Sequence, residues 1–444
     1  MTTQIFQAST LYGVATLAAA LDSGCFDAAD RRILLVCNNA ATPETTPGPD
    51  EMPGFERLRD RFDEVISYNE TIFPFHPGGW APRVDDMPLW ERFLRHEWRL
   101  GGEHVELAVE SIQVNPALAL AQIFNGAPVT VYADGLMSYG PTRNKIDPLV
   151  GTRVDRVLHL DLVPGLTPLL LTEFGVPGEL VPAAAFTKVL AELASAAEEL
   201  PAIPEPALLL GQYLSALDIL TAEQEEDLHV RMLQGAAELG HTQVVFKPHP
   251  TAPARYTRSL ERAAERLGVE LTVVATPVLA EVLYQRIRPA LVVGCFSTAL
   301  LTASAFYDLP VARVGTELLL ERLTPYENSN RIPVTIVDAL LPDLADAAAV
   351  TERRRGTDVE RLGALVRAVG FAMQPKILPG LRPEAETWLA AHFGPGTSRY
   401  FKRRRLTSLA LPGGLPAQLA FIPRNATVRR VAKKARGLRR TVRR

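Results

Sequence analysis

The sequence predicts an α/β protein of two doubly wound domains facing each other across a cleft. Apolar, β-rich runs alternate with helical patterns through most of the 444 residues, as parallel sheets with helical crossovers require. Midway, Leu200-Pro-Ala-Ile-Pro-Glu-Pro206 packs three prolines into seven residues. That is a linker, and it leaves about 200 residues on either side, each enough for one domain.

The first half opens with Ile5-Phe-Gln-Ala-Ser-Thr10, a strand running into a small-residue turn, and continues with strands expected at Ile33–Cys37, Val129–Tyr132 and Val157–Leu160. The second opens the same way with Leu208-Leu-Leu-Gly-Gln-Tyr213 and continues at Val244–Phe246, Leu271–Val274, Leu291–Val293 and Val311–Val314. Thr221-Ala-Glu-Gln224 is a capping box that starts a long acidic helix, and Gly240 is placed to end it after Leu239. Thr42–Gly54 and Phe73–Asp86 read as long loops. The expected organisation is a domain over 1–199, a linker over 200–206, a second domain over 207–395 and a basic tail over 396–444.

With 47% hydrophobic and 22% charged residues, the chain falls outside disordered and collagenous compositions. Its three cysteines, Cys25, Cys37 and Cys295, lie too far apart for a CxxC motif, which argues against a disulfide framework or a structural zinc site and suits a reducing cytosol. The net charge of −3 conceals an asymmetry: Arg399–Arg444 holds fifteen Lys/Arg and no Asp/Glu, leaving 32 basic against 50 acidic residues before it. Such a tail calls for an anionic partner. In Thr427–Arg444, Val428, Val431, Ala435, Leu438 and Val442 recur at helical spacing among nine Lys/Arg, the pattern of a cationic helix on an anionic membrane surface, with a solvated or protein-packed tail as the other reading. Specific nucleic-acid binding is disfavoured, since no recognition motif accompanies the basic residues. The uncharged runs Met1–Leu21, Pro289–Tyr307 and Leu406–Pro423 read as neither signal peptide nor membrane span. The expected location is cytoplasmic, peripheral on the inner face of the cell membrane.

Four patterns in the second half end strands with chemistry. Val244-Val-Phe-Lys-Pro-His-Pro250 sets Lys247 and His249, with Pro250 beyond, at the carboxyl end of a strand, where open α/β sheets bind ligands. Val292-Val-Gly-Cys-Phe-Ser-Thr298 runs a strand into Ser297 and Thr298 at a helix start, an anion site by its hydroxyls, free N–H groups and dipole. Glu281 is placed to accept hydrogen bonds from ribose hydroxyls. Gly211-Gln212 lets a backbone approach a nucleotide closely. Each pattern alone also fits an ordinary role: a strand-ending histidine, an N-cap, a solvated helix charge or a plain turn. Their joint occurrence in one domain points to a nucleotide. In the first half, Val129-Thr-Val-Tyr-Ala-Asp-Gly-Leu-Met-Ser-Tyr-Gly-Pro-Thr-Arg143 leads a strand into Asp134-Gly135 and a polar loop with Ser138, Tyr139 and Arg143. A carboxylate there could deprotonate a sugar hydroxyl, or Asp-Gly could simply turn the chain. His76-Pro77 with Trp80, Trp90 and Trp98 offers an acceptor wall or a buried aromatic cluster.

KPHP, GCFSTAL and the YADG…SYGPTR segment together resemble the bacterial polysialyltransferase and sialyltransferase families, over roughly residues 5–315. The resemblance implies a two-domain GT-B fold and an inverting, metal-independent transferase. It implies a CMP-activated, sialic acid-like sugar as donor, no other cofactor, and a cell-surface glycan or its lipid-linked precursor as acceptor. His249 and Pro250 match the family's His-Pro motif, implying contact with the CMP phosphate. Ser297 and Thr298 match the hydroxyl pair on the same phosphate, and Asp134 with Gly135 matches the end of the acidic motif, implying a general base. Ser138, Tyr139 and Arg143 fall on the acceptor side. The chain departs from the family at Ala133, where the motif's first carboxylate would stand, and Glu110 or Glu103 are then the alternative bases. A CDP-glycerol-type glycerophosphotransferase resembles the chain too, and would need His76, His96 or His104 as a second catalytic histidine. A catalytically silent nucleotide- or glycan-binding scaffold is the third reading.

Overall fold

The computed structural model describes residues 1–133, 135–197, 200, 203–249, 254–352 and 358–415. Seven strands, β1 (Thr2–Ala8), β2 (Arg31–Val36), β3 (Glu64–Ser67), β4 (His104–Glu110), β5 (Val129–Ala133), β6 (Val154–Leu160) and β7 (Gly178–Val181), form one sheet in the order β3-β2-β1-β4-β5-β6-β7. Five more, β8 (Ala207–Leu210), β9 (Gln243–Lys247), β10 (Glu270–Val273), β11 (Leu291–Gly294) and β12 (Val311–Arg313), form a second in the order β10-β9-β8-β11-β12. Every pairing in both sheets is parallel. Helices flank each sheet, so the two-domain α/β expectation holds, with the two Rossmann-like units of a GT-B cleft.

The central strands are buried on both faces, and their near-continuous apolar sequence follows from that. Three strands lacked this signature in the sequence. β3 and β7 are half-buried sheet edges, and β4 alternates charge with apolar residues because Glu106 turns toward Gln4, whose Nε2 donates to it at 2.9 Å. The capping box stands as expected: Thr221 Oγ1 accepts from Gln224 N and the Gln224 side chain answers to Thr221 N, starting the Ala222–Glu238 helix.

Strand order reverses between β1 and β4 in the first sheet and between β8 and β11 in the second. Crevices open at such points outside the carboxyl ends of the strands. The chain also returns to its first domain: the Val359–Met373 helix ends at Gln374, whose Nε2 donates to Arg143 O at 2.7 Å. Residues 398–411, the start of the expected basic tail, pack on the body. Tyr400, Phe401, Leu406 and Leu411 are buried. Arg405 donates to Ala372 O (2.7 Å) and Met373 O (3.0 Å), cation against the carbonyl end of a helix, and pairs with Glu327 at 2.8 Å. The tail beyond residue 415, including the cationic helix expected over 427–444, lies outside the described residues. No helix among the described residues is long and apolar enough to cross a membrane.

Candidate functional site

Ser297 is the N-cap of the Thr298–Tyr307 helix, its hydroxyl accepting from Ala299 N at 3.2 Å, and Thr298 is the first helical residue. The remaining N–H groups of that first turn point out of the carboxyl end of β11. Thr298 meets the other domain. Leu136 N donates to Thr298 Oγ1 at 3.5 Å, and a Cβ on Gly135 would stand 2.5 Å from that oxygen, inside any permitted contact. Gly135 is extended (φ 179°), so glycine is required here by proximity and not by backbone strain. One turn deeper, Thr302 Oγ1 lies 3.3 Å from the hydroxyl of Tyr12, which follows β1. The hydroxyl motif of the second domain and the glycine of the acidic motif of the first are therefore in contact.

Two strands from β11 in the same sheet, β9 brings its own end. Lys247 is only 7% exposed, its Nζ reaching Pro248 O at 3.4 Å, and burial lowers its pKa to about 8. Next along, His249 reaches solvent at the lip. Desolvation, then the Lys247 charge, lower its pKa, so the imidazole is neutral near pH 7. Gly211 follows β8, and a Cβ on it would come within 2.9 Å of the Phe246 ring and 3.1 Å of Pro248 Cα, so this turn too is closed to larger residues. Its N–H donates to Lys247 O at 2.9 Å, which ties the ends of β8 and β9 together. Gln212 Oε1 is buried there and meets no hydrogen-bond partner among the described residues.

Glu281 lies in the first turn of the Ala280–Ile287 helix and is 2% exposed. Burial pushes its carboxyl up to about 7, opposed by its own N–H and the Thr302 hydroxyl. Through Thr302 it belongs to the same interdomain contact as Tyr12.

Asp134 and Pro250 lie outside the described residues. Ala133 is buried in β5. The two alternative carboxylates separate clearly. Glu103 precedes β4, where the Thr3 hydroxyl donates to it, at the amino ends of the strands and away from the crevice. Glu110 closes β4 at the crevice. Its backbone pairs with Tyr132, one residue before Ala133, and its Oε2 accepts from Ser9 N (3.1 Å) and Ser9 Oγ (2.5 Å). Ser138 and Tyr139, expected to face an acceptor, are buried: Ser138 Oγ donates to Gly135 O at 3.1 Å and Tyr139 OH to Leu160 O at 3.4 Å. Arg143 is the exception in that loop. Its N–H donates to Gln113 Oε1 at 2.7 Å, while its half-buried guanidinium meets no carboxylate among the described residues, and burial lowers its pKa.

None of the three candidate histidines of the first half, His76, His96 and His104, is placed as a second catalytic group. His76 spends both ring nitrogens on its own loop, Nε2 on Ala40 O (2.9 Å) and Nδ1 on Gly78 N (3.2 Å). His96 is exposed near the end of the Met87–Glu97 helix, and His104 begins β4 at the opposite end from the crevice. Trp98 is core. Trp80 and Trp90 stack edge to face at 4.7 Å beside the half-exposed Phe75. Among the described residues no three His, Cys, Asp or Glu side chains gather as a metal site. Ser9, Tyr12, Thr302 and Glu225 went unread in the sequence. Only the small-residue turn after β1 hinted at the first.

The alpha-2,8-polysialyltransferase (POLYST) family profile matches residues 4–316, about 70% of the chain. No curated protein matches the sequence significantly. Solved structures that align include the GT-B domain of a sialyltransferase from Photobacterium damselae (11% identity, 75% of this chain and 95% of that one, TM-score 0.38). They also include MurG from Acinetobacter baumannii (11%, 87% and 95%, 0.41) and a UDP-GlcNAc 2-epimerase from Methanocaldococcus jannaschii (11%, 79% and 91%, 0.43). The profile match spans both sheets and takes in His249, Ser297, Thr298 and the Asp134-Gly135 segment, and on that match the chain belongs to the alpha-2,8-polysialyltransferase family.

Proposed function

We propose that the protein is an inverting glycosyltransferase that moves a sialic acid-type sugar from CMP to a cell-surface glycan or its lipid-linked precursor, without using a metal ion. The observation that carries this is the contact of Thr298 with Gly135 and Leu136, which joins the family's phosphate motif to its acidic motif across the cleft. In the reaction the acceptor hydroxyl attacks the anomeric carbon, the bond from that carbon to the CMP phosphate oxygen breaks, and the hydroxyl proton passes to a carboxylate. Charge grows on the departing phosphate. The helix start at Ser297-Thr298, the Lys247 ammonium and an N–H of His249 are fixed donors for that charge, in the way preorganised dipoles stabilise a transition state. Gly211 with Gln212 bounds the nucleotide from the β8 side, whereas Glu281, expected from the sequence to receive ribose hydroxyls, is enclosed against Thr302 and braces the interdomain contact instead.

Asp134 is the proposed base. Glu110, beside the position that Ala133 occupies, is the second carboxylate of the crevice and orients the turn after β1 through Ser9. The tail beyond residue 415 holds the enzyme to an anionic inner-membrane face. The test is turnover of CMP-sialic acid with oligosaccharide acceptors by the wild type, Asp134→Asn and Glu110→Gln. Loss of turnover in Asp134→Asn with CMP affinity retained supports the assignment. Full activity in Asp134→Asn and none in Glu110→Gln transfers the base to Glu110. Absence of any transfer with cytidine-linked donors contradicts the reading. The glycerophosphotransferase alternative lacks support, since none of its three candidate histidines is set at the crevice.

A further inference from the structure

The Ala222–Glu238 helix, acidic by sequence, hides one of its carboxylates completely. Glu225 is fully buried and accepts three hydrogen bonds: from Leu214 N (2.6 Å), from Ser215 N (2.9 Å) and from the Tyr256 hydroxyl (3.1 Å). The first two donors belong to the loop that leaves β8 through Gly211 and Gln212. The third belongs to the first turns of the Ala254–Leu267 helix, seven residues after His249. Tyr256 OH also lies 2.7 Å from Ser215 Oγ, and the Tyr213 ring is 6.3 Å from the Tyr256 ring and 6.4 Å from that of His249. A buried carboxylate satisfied by three donors is strongly held, because leaving any of them unpaired costs its desolvation.

We propose that Glu225 is a positioning residue of the donor side: its carboxylate ties the loop after β8 to the helix that follows His249 and keeps a negative charge near that imidazole. The relevance to catalysis rests on the donor-site reading above; the clamp itself does not. Lys247 on its own strand, Tyr213 after β8 and Glu225 on the Ala222–Glu238 helix bear on His249, and Tyr256 and His229 join the same cluster through ring contacts with Tyr213 and with each other. His229 is neutral, its pKa lowered to about 4 by burial. Lys247 therefore opposes protonation of His249 and Glu225 favours it.

The experiment is a histidine NMR titration of the full chain without nucleotide, with His249 assigned through His249→Ala, together with amide hydrogen exchange at Leu214 and Ser215. Glu225→Gln is expected to lower the His249 pKa by ~0.5 unit or more, since it removes a negative charge that favours protonation of the imidazole. Exchange at the two amides should accelerate at least ~10-fold, as local opening becomes easier. Glu225→Asp and Tyr256→Phe keep the charge and weaken the tether, so the pKa should hold within ~0.2 unit while exchange accelerates. A folded Glu225→Gln with an unmoved His249 pKa overturns the proposal. Should that variant not fold, unchanged Ser215 exchange in Tyr256→Phe overturns it instead. A CMP titration of the wild type separates the two levels: absence of cytidine binding removes the donor-site reading and leaves the NMR result to judge the clamp.

Discussion

Placing an alanine at Gly135 tests the interdomain contact directly. Backbone strain is not at issue, because φ is 179° and any residue adopts that conformation. The cost comes from the new Cβ, which would lie 2.5 Å from Thr298 Oγ1 and at ordinary contact distance, 3.4 and 3.5 Å, from Cγ2 and Cβ of the same residue. Overpacking of this kind costs about 1–3 kcal/mol. Thr298→Ala removes the offending oxygen and loses only the long 3.5 Å hydrogen bond from Leu136 N, worth at most ~1 kcal/mol. In the double variant the two alanine methyl carbons stand at normal separation, so the penalty of Gly135→Ala should mostly vanish. The coupling energy from a double-mutant cycle is expected at about 1–2 kcal/mol, read from urea midpoints at constant slope. Strict additivity would show that the two motifs are apart in solution, and the reasoning would fail.

Four further outcomes follow from the site. Glu281 has a folded-state pKa near 7, above its unfolded value of 4.5, so the folded chain binds the extra proton between these limits. Stability should fall as pH rises from about 4.5 to 7, by roughly 3 kcal/mol at most, and Glu281→Gln should flatten that slope in urea melts. Lys247, with its pKa lowered by burial, meets no carboxylate among the described residues; Lys247→Met should raise the melting temperature while weakening CMP binding about 10-fold in calorimetry. Arg143→Ala should leave CMP affinity intact and raise the acceptor KM about 10-fold in initial-rate kinetics; an unchanged KM removes Arg143 from the acceptor side. Glu103→Gln, far from the crevice, should leave kcat within about twofold of wild type.

Much of this architecture was legible because the central strands are buried on both faces and so read as unbroken apolar runs. β4 escaped because Glu106 and Glu110 interrupt it. Both are held by partners far away in sequence, Gln4 and Ser9, which no local pattern reveals. The strand-end motifs of the second half were visible because proline, glycine and hydroxyl residues mark strand ends. Their opposite numbers were not: Glu225 sits at helical spacing with Leu228, His229 and Met232 on the buried face, so a carboxylate occupies a core position inside a helix whose composition looks solvated. Ser138 and Tyr139 mislead in the opposite sense, being polar in sequence yet committed to backbone carbonyls. The contact of Gly135 with Thr298 joins residues 163 positions apart and depends on how the two sheets meet.

The central claim is a cytidine-nucleotide site built on His249, and calorimetric titration of the full chain with CMP, CDP, UMP and GMP in the absence of metal tests it most directly. Preferential binding of the cytidine nucleotides, weakened about 10-fold or more in His249→Ala, is the result predicted. Equal affinity for all four, or affinity indifferent to His249, would contradict it.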